Sequence, residues 1–150
     1  MLAKQEDLFL RDLESAAREC AGATIKRYPS GLSVKSSGPD GFDMAVIVED
    51  GHYSLYFDNW AEELENGEIA REMFEAALKG NARLRVDMLS GRRWRWTLEK
   101  KDEGGSWLTA STTGHVLWRF WGRQSSIYLR NAFPKHPLPT VHAASSSRAH

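Results

Sequence analysis

The sequence predicts an α+β domain: a largely antiparallel, twisted sheet of about seven to nine strands with two helices packed on one face. Three observations lead there. Apolar residues recur at spacings of three and four in only two stretches, they alternate with polar residues through most of the remainder, and short turn signals separate the alternating runs.

The first helix is expected over about residues 5 to 20, where Phe9, Leu13, Ala16, Ala17 and Cys20 share one stripe and Gly22 stands at the position of a left-handed cap. TIKRYPSGLSVK then predicts two short strands around Pro29-Ser30-Gly31, and SSGPDG a loop. The hairpin FDMAVIVEDGHYSLYF follows. Its Asp50-Gly51 turn opposes Val48 to Tyr53, Val46 to Leu55 and Met44 to Phe57, placing six apolar side chains on one face.

A second helical region is predicted from about Trp60, with Asn59 as N-cap and Glu62 completing a capping box. Asn66-Gly67 would break or kink it. From Glu68 to Lys79, the residues Ile69, Met73, Phe74, Ala77 and Leu78 form the apolar stripe, and Gly80 ends the run. Glu65, Glu68, Glu72 and Glu75 make a solvated acidic side, with Arg71 placed to pair with Glu75 or Glu68.

From Ala82 the period becomes two. Leu84, Val86 and Met88 alternate with Arg83, Arg85 and Asp87, and Trp94, Trp96 and Leu98 alternate with Arg93, Arg95, Thr97 and Glu99. A three-residue loop, Ser90 to Arg92, would oppose Met88 to Trp94 and Val86 to Trp96, turning both indoles inward. The same register opposes Asp87 to Arg95 and Arg83 to Glu99 as exposed pairs. Gly104-Gly105 reads as a hairpin turn, with strands near 106 to 112, 115 to 121 and 124 to 131. The expected core comprises the Met44 to Phe57 hairpin, Trp60, Ile69, Met73, Phe74, Leu84, Val86, Trp94, Trp96, Val116 and Trp118. Residues 1–133 form a single domain in this reading, and 134–150, rich in Pro, Ser and Ala, a partly disordered tail.

The 150 residues carry no net charge, which argues against a dedicated nucleic-acid binder. The charges are segregated, however: residues 43 to 78 hold ten acids against Arg71, whereas residues 79 to 135 hold twelve Lys and Arg against four acids. Cys20 is the single cysteine, so an internal disulfide is excluded and a reducing, cytoplasmic setting is expected. Acids interrupt the first twenty residues, as they would not in a signal peptide, and no apolar run reaches membrane-spanning length.

No nucleophile elbow, phosphate loop or paired-histidine motif occurs, so no catalytic residue, metal site or cofactor is predicted. His52, beside Glu49 across the hairpin, reads as a solvated hairpin end. The suggestive stretch SGRRWRWTLEKK divides between two faces. In LWRFWGRQSSIYLR a Gly122-Arg123 turn would instead gather Arg119, Trp121, Tyr128 and Arg130 on one side, and with Arg83, Arg85 and Arg93 these form the expected binding set. The leading expectation is a non-enzymatic interaction domain whose acidic and basic surfaces meet a protein partner or a second copy. The alternatives are single-stranded nucleic acid or another polyanion on the Arg/aromatic face, and an apolar molecule or small substrate in a pocket between sheet and helices.

Overall fold

The computed structural model describes residues 2–114 and 123–134, which form two helices and nine strands. Helix α1 (Leu2–Arg18) precedes the hairpin strands β1 (Ile25–Tyr28) and β2 (Gly31–Val34), then β3 (Met44–Glu49), β4 (His52–Phe57) and β5 (Trp60–Leu64). Helix α2 (Gly67–Leu78) leads into β6 (Ala82–Leu89), β7 (Arg92–Lys101), β8 (Trp107–Gly114) and β9 (Gln124–Leu129). All pairings are antiparallel, and the nine strands are divided between two sheets, ordered β1-β2-β3-β4-β5 and β8-β7-β6-β9.

The β3–β4 register is the one its turn and pattern dictate, with Met44 opposite Phe57, Val46 opposite Leu55 and Val48 opposite Tyr53. Asp50 and Gly51 both have positive φ, 51° and 80°, the backbone of a two-residue turn whose twist suits the flanking strands.

Trp60 does not begin a helix. Asp58, at φ 55°, and Asn59 form a tight turn that lays Trp60 opposite Phe57, and β5 continues the first sheet. Its indole is fully buried, stacked on Phe57 at 4.9 Å, so packing overrides the capping pattern and the helix-favouring glutamates. The capping role falls to Asn66, whose side chain accepts a 3.1 Å hydrogen bond from Ile69 N. Asn66-Gly67 therefore opens α2 instead of kinking it. Ile69, placed in the core by its spacing, is 46% exposed, and Ala70 is the buried residue of that turn. In α1, Leu10, Leu13 and Ala17 are buried, with Phe9, Ala16 and, just beyond the helix, Cys20 at the core's margin.

The β6–β7 connection also departs from expectation. The turn is Ser90-Gly91, both at positive φ, and pairs Leu89 with Arg92 and Met88 with Arg93. Continued unchanged, that register would set Val86 against Arg95. A bulge between Asp87/Met88 and Arg93/Arg95 absorbs Trp94 as the extra residue and restores Asp87 opposite Arg95 and Val86 opposite Trp96. Trp96 is buried and Trp94 is only half-buried.

One hydrophobic cluster joins both helices and both sheets. Leu13, Phe57, Trp60, Phe74, Leu84, Val86 and Leu98 are among its buried members. The sheets meet through side chains, since Trp60 Nε1 donates to Ser111 Oγ (2.9 Å), and Thr113 Oγ1 accepts from Ala61 N and donates to Ala61 O. After β9, buried Asn131 accepts from Phe42 N and donates to Phe42 O, fastening the chain to the loop before β3. No described helix is long and apolar enough to cross a membrane. Val116, Trp118 and the proposed 115 to 121 strand lie outside the described residues, as does most of the predicted tail.

Candidate binding surface on the second sheet

Alternation along β6, β7 and β9 sends Leu84, Val86, Trp96, Leu98 and Leu129 into the core and sets Arg83, Arg85, Asp87, Arg95, Thr97, Glu99 and Tyr128 on the opposite, outer face. The expected pairs form. Arg83 Nε donates to Glu99 Oε1 at 2.7 Å, and Arg95 Nε to Asp87 Oδ2 at 2.6 Å. They are not exposed pairs, however. The side chains of Asp87 and Glu99 are only 11% and 9% exposed, against 24–42% for the arginines above them. Arg85 connects the pairs, with Nη1 3.5 Å from Glu99 Oε2 and Nε 3.3 Å from Asp87 Oδ1.

The result is a layered electrostatic arrangement: an inner row of carboxylates beneath an outer row of guanidinium groups. Burial pushes the Asp87 carboxyl upward, but the hydrogen bonds from Ser126 and Arg95 and the charges of Arg85 and Arg95 outweigh it. Its pKa therefore lies below the ordinary value. Ser126 Oγ donates to Asp87 Oδ1 at 2.7 Å, linking β9 to the same row.

Aromatic rings hold the guanidinium groups from the sides. Arg83 lies between Trp107 and Tyr128, 4.3 and 4.2 Å from their centroids, and Arg130 lies 5.2 Å from the Trp107 centroid. Arg95 covers Trp94 at 4.6 Å. Between β9 and the β6–β7 bulge runs a groove of about 400 Å³, lined by Arg85, Asp87, Trp94, Arg95, Ser126 and Tyr128 among others.

Of the expected binding set, Arg83, Arg85, Tyr128 and Arg130 come together here. Arg130 is partly committed to the fold, because its Nε donates to Gly80 O just beyond α2. Arg93 does not join them. On the turn side of the bulge it reaches Asp58 Oδ2 at 3.3 Å, the same oxygen that accepts Trp96 Nε1 from the core side. Arg119 and Trp121 lie outside the described residues. Trp94, Arg95, Trp107 and Lys101 belong to the surface although the expected set omits them. Trp107 was legible: a hairpin centred on Gly104 sets it opposite Lys101, on the outer face.

Other groups offer less chemistry. His52 Nδ1 is 3.8 Å from Glu63 Oε2, and both side chains are exposed. A wider cleft, about 780 Å³, lies where α1 and α2 end, lined by Cys20, Leu78, Lys79 and Phe133 among others. Burial foremost, with Glu19 adding to it, raises the Cys20 pKa against the opposing effect of Lys79, so the thiol stays protonated and weakly nucleophilic. Among the described residues no group of three or more His, Cys, Asp or Glu side chains is gathered as metal ligands. Comparison with protein-family models, curated proteins and solved structures finds no match to this chain.

Proposed function

We propose that this chain is a non-enzymatic interaction domain that takes an acidic segment of a protein partner on the outer face of the second sheet. The supporting observation is the layering of charge. Asp87 and Glu99 are buried and already engaged, so a partner meets Arg83, Arg85, Arg95, Arg130 and Lys101. Guanidinium groups fixed by carboxylates and rings lose less side-chain freedom when a ligand binds, and their planar forks match carboxylates. The acids of β5 and α2 give the molecule a second surface of opposite sign, which favours orientation of a partner over raw affinity. A cytoplasmic setting accords with the lone, protonated thiol.

Single-stranded nucleic acid is the second reading, favoured by the half-exposed Tyr128 ring beside Arg83. Fluorescence anisotropy with a labelled glutamate-rich peptide and with an oligothymidylate of equal charge separates the two. The acidic-segment reading expects tighter binding of the peptide, weakened by salt and by Arg95→Ala. Tighter binding of the oligonucleotide would favour the second reading, and binding of neither would refute both.

A further inference from the structure

We propose that the outer face of the first sheet, which the preceding reading does not use, is where two copies of this chain meet across a two-fold axis parallel to the strands. Hydrogen-bonded register builds the middle of this face from two cross-strand rows, with Glu49 and His52 paired beyond them at the hairpin end. One row runs Lys26, Ser33, Ala45, Tyr56, Ala61, and the other Tyr28, Gly31, Ile47, Ser54, Glu63. Tyr28, Ile47 and Tyr56 stand out from it at 45%, 41% and 41% exposure. The intervening positions are small, leaving notches beside each large side chain.

Charge selects the partner and the axis. Lys26 lies on the β1 edge and Glu63 on the β5 edge of the same face. A two-fold along the strands lays β1 over β5 of the second copy, so that Lys26 and Tyr28 meet its Ala61 and Glu63. A two-fold across the strands would instead set lysine beside lysine and glutamate beside glutamate. Along the favoured axis Tyr56 falls over Ser33 of the second copy, Gly31 over Ser54, and Ile47 over its own equivalent, so that Tyr56 meets a small residue while Tyr28 lies against Glu63 at the edge. Faces about 10 Å apart leave room for paired isoleucines. Glu49, on the same face at the hairpin end of β3, meets its own equivalent and opposes association.

Five strands at about 4.8 Å spacing make a face roughly 24 Å wide, small for a permanent dimer, and association at micromolar concentration is expected. Sedimentation velocity across protein concentration tests this with the full chain. The expected result is a monomer–dimer equilibrium that Ile47→Asp abolishes and that K26E or E63K alone weakens roughly tenfold, about the worth of one lost ion pair plus a like-charge contact. The K26E/E63K double variant should recover most of the loss, and Glu49→Gln should tighten the dimer. Circular dichroism and melting of Ile47→Asp separate loss of association from loss of folding, because the charge reversals test the same contact without an apolar deletion. A wild-type chain that stays monomeric at about 100 µM, a dimer indifferent to Ile47→Asp, or double reversal without recovery would overturn the proposal.

Discussion

The two sheets share an inner core but present opposite outer faces. The first is built of small residues between its charged edges, with Tyr28, Ile47 and Tyr56 standing above serine, alanine and glycine and Glu49 at one end of the central strand. The second carries arginines held over buried carboxylates and wedged among tryptophan and tyrosine rings. The contrast shows that alternation determines which residues leave the core but not what becomes of them. On one face they stay solvated, and on the other they make a second, polar layer with its own burial.

Removing what both sheets share should have the largest effect. Trp60→Ala empties the stacking position on Phe57 and leaves Ser111 without its donor, so a loss of about 4 kcal/mol in denaturant unfolding is expected. Next comes the polar layer itself. Asp87→Ala strips Arg95 and Ser126 of their acceptor and leaves Arg85 beside an empty site. Breaking a fully buried pair costs about 3–5 kcal/mol, and the partial exposure of the arginines reduces the expectation to about 2.

Asp87 also gives the second sheet a pH dependence. Its folded-state pKa is depressed, so its contribution is present above the ordinary aspartate range and is lost as pH falls through the lower folded value. Thermal melts between neutral and acidic pH should show the wild type losing part of its stability advantage over Asp87→Asn as pH drops below about 4. The same chemical change at two carboxylates then sharpens the comparison. Glu99→Gln, beneath Arg83 and Arg85, should cost about 1–2 kcal/mol. Glu63→Gln, 65% exposed beside His52, should change stability by at most a few tenths of a kcal/mol. Equal effects at the two sites would break the distinction between the faces.

How much of this was legible depended on whether local signals agreed. For β3–β4 the Asp50-Gly51 turn and the apolar alternation demand the same register, and it forms. For β6–β7 they conflict, because a two-residue turn at Ser90-Gly91 puts arginine against the core. Burial wins, at the expense of a bulge that turns Trp94 out of its expected core position. Around Trp60 the capping pattern pointed to a helix, and stacking on Phe57, which no local signal reports, overrides it.

The candidate surface follows the same logic. Arg83 and Arg85 were legible from period two, and Tyr128 and Arg130 from alternation counted from an expected Gly122-Arg123 turn. Arg93 was not, since the bulge places it with Asp58. The sinking of Asp87 and Glu99 beneath their arginines was hidden too, because cross-strand register gives the partners of a pair but not how many neighbours close over it.

In the proposed function the buried carboxylates organise the arginines of the second sheet into a receptor for acidic groups. Affinity of the glutamate-rich peptide for Glu99→Gln, measured where that variant remains folded, tests it most directly. The substitution removes a negative charge, so simple charge counting predicts tighter binding. Loss of one of the two carboxylate oxygens that orient Arg83 and Arg85 predicts weaker binding, by about tenfold if the orientation is worth one charge-assisted hydrogen bond. A weaker complex supports the layered receptor, and an unchanged or tighter one contradicts it.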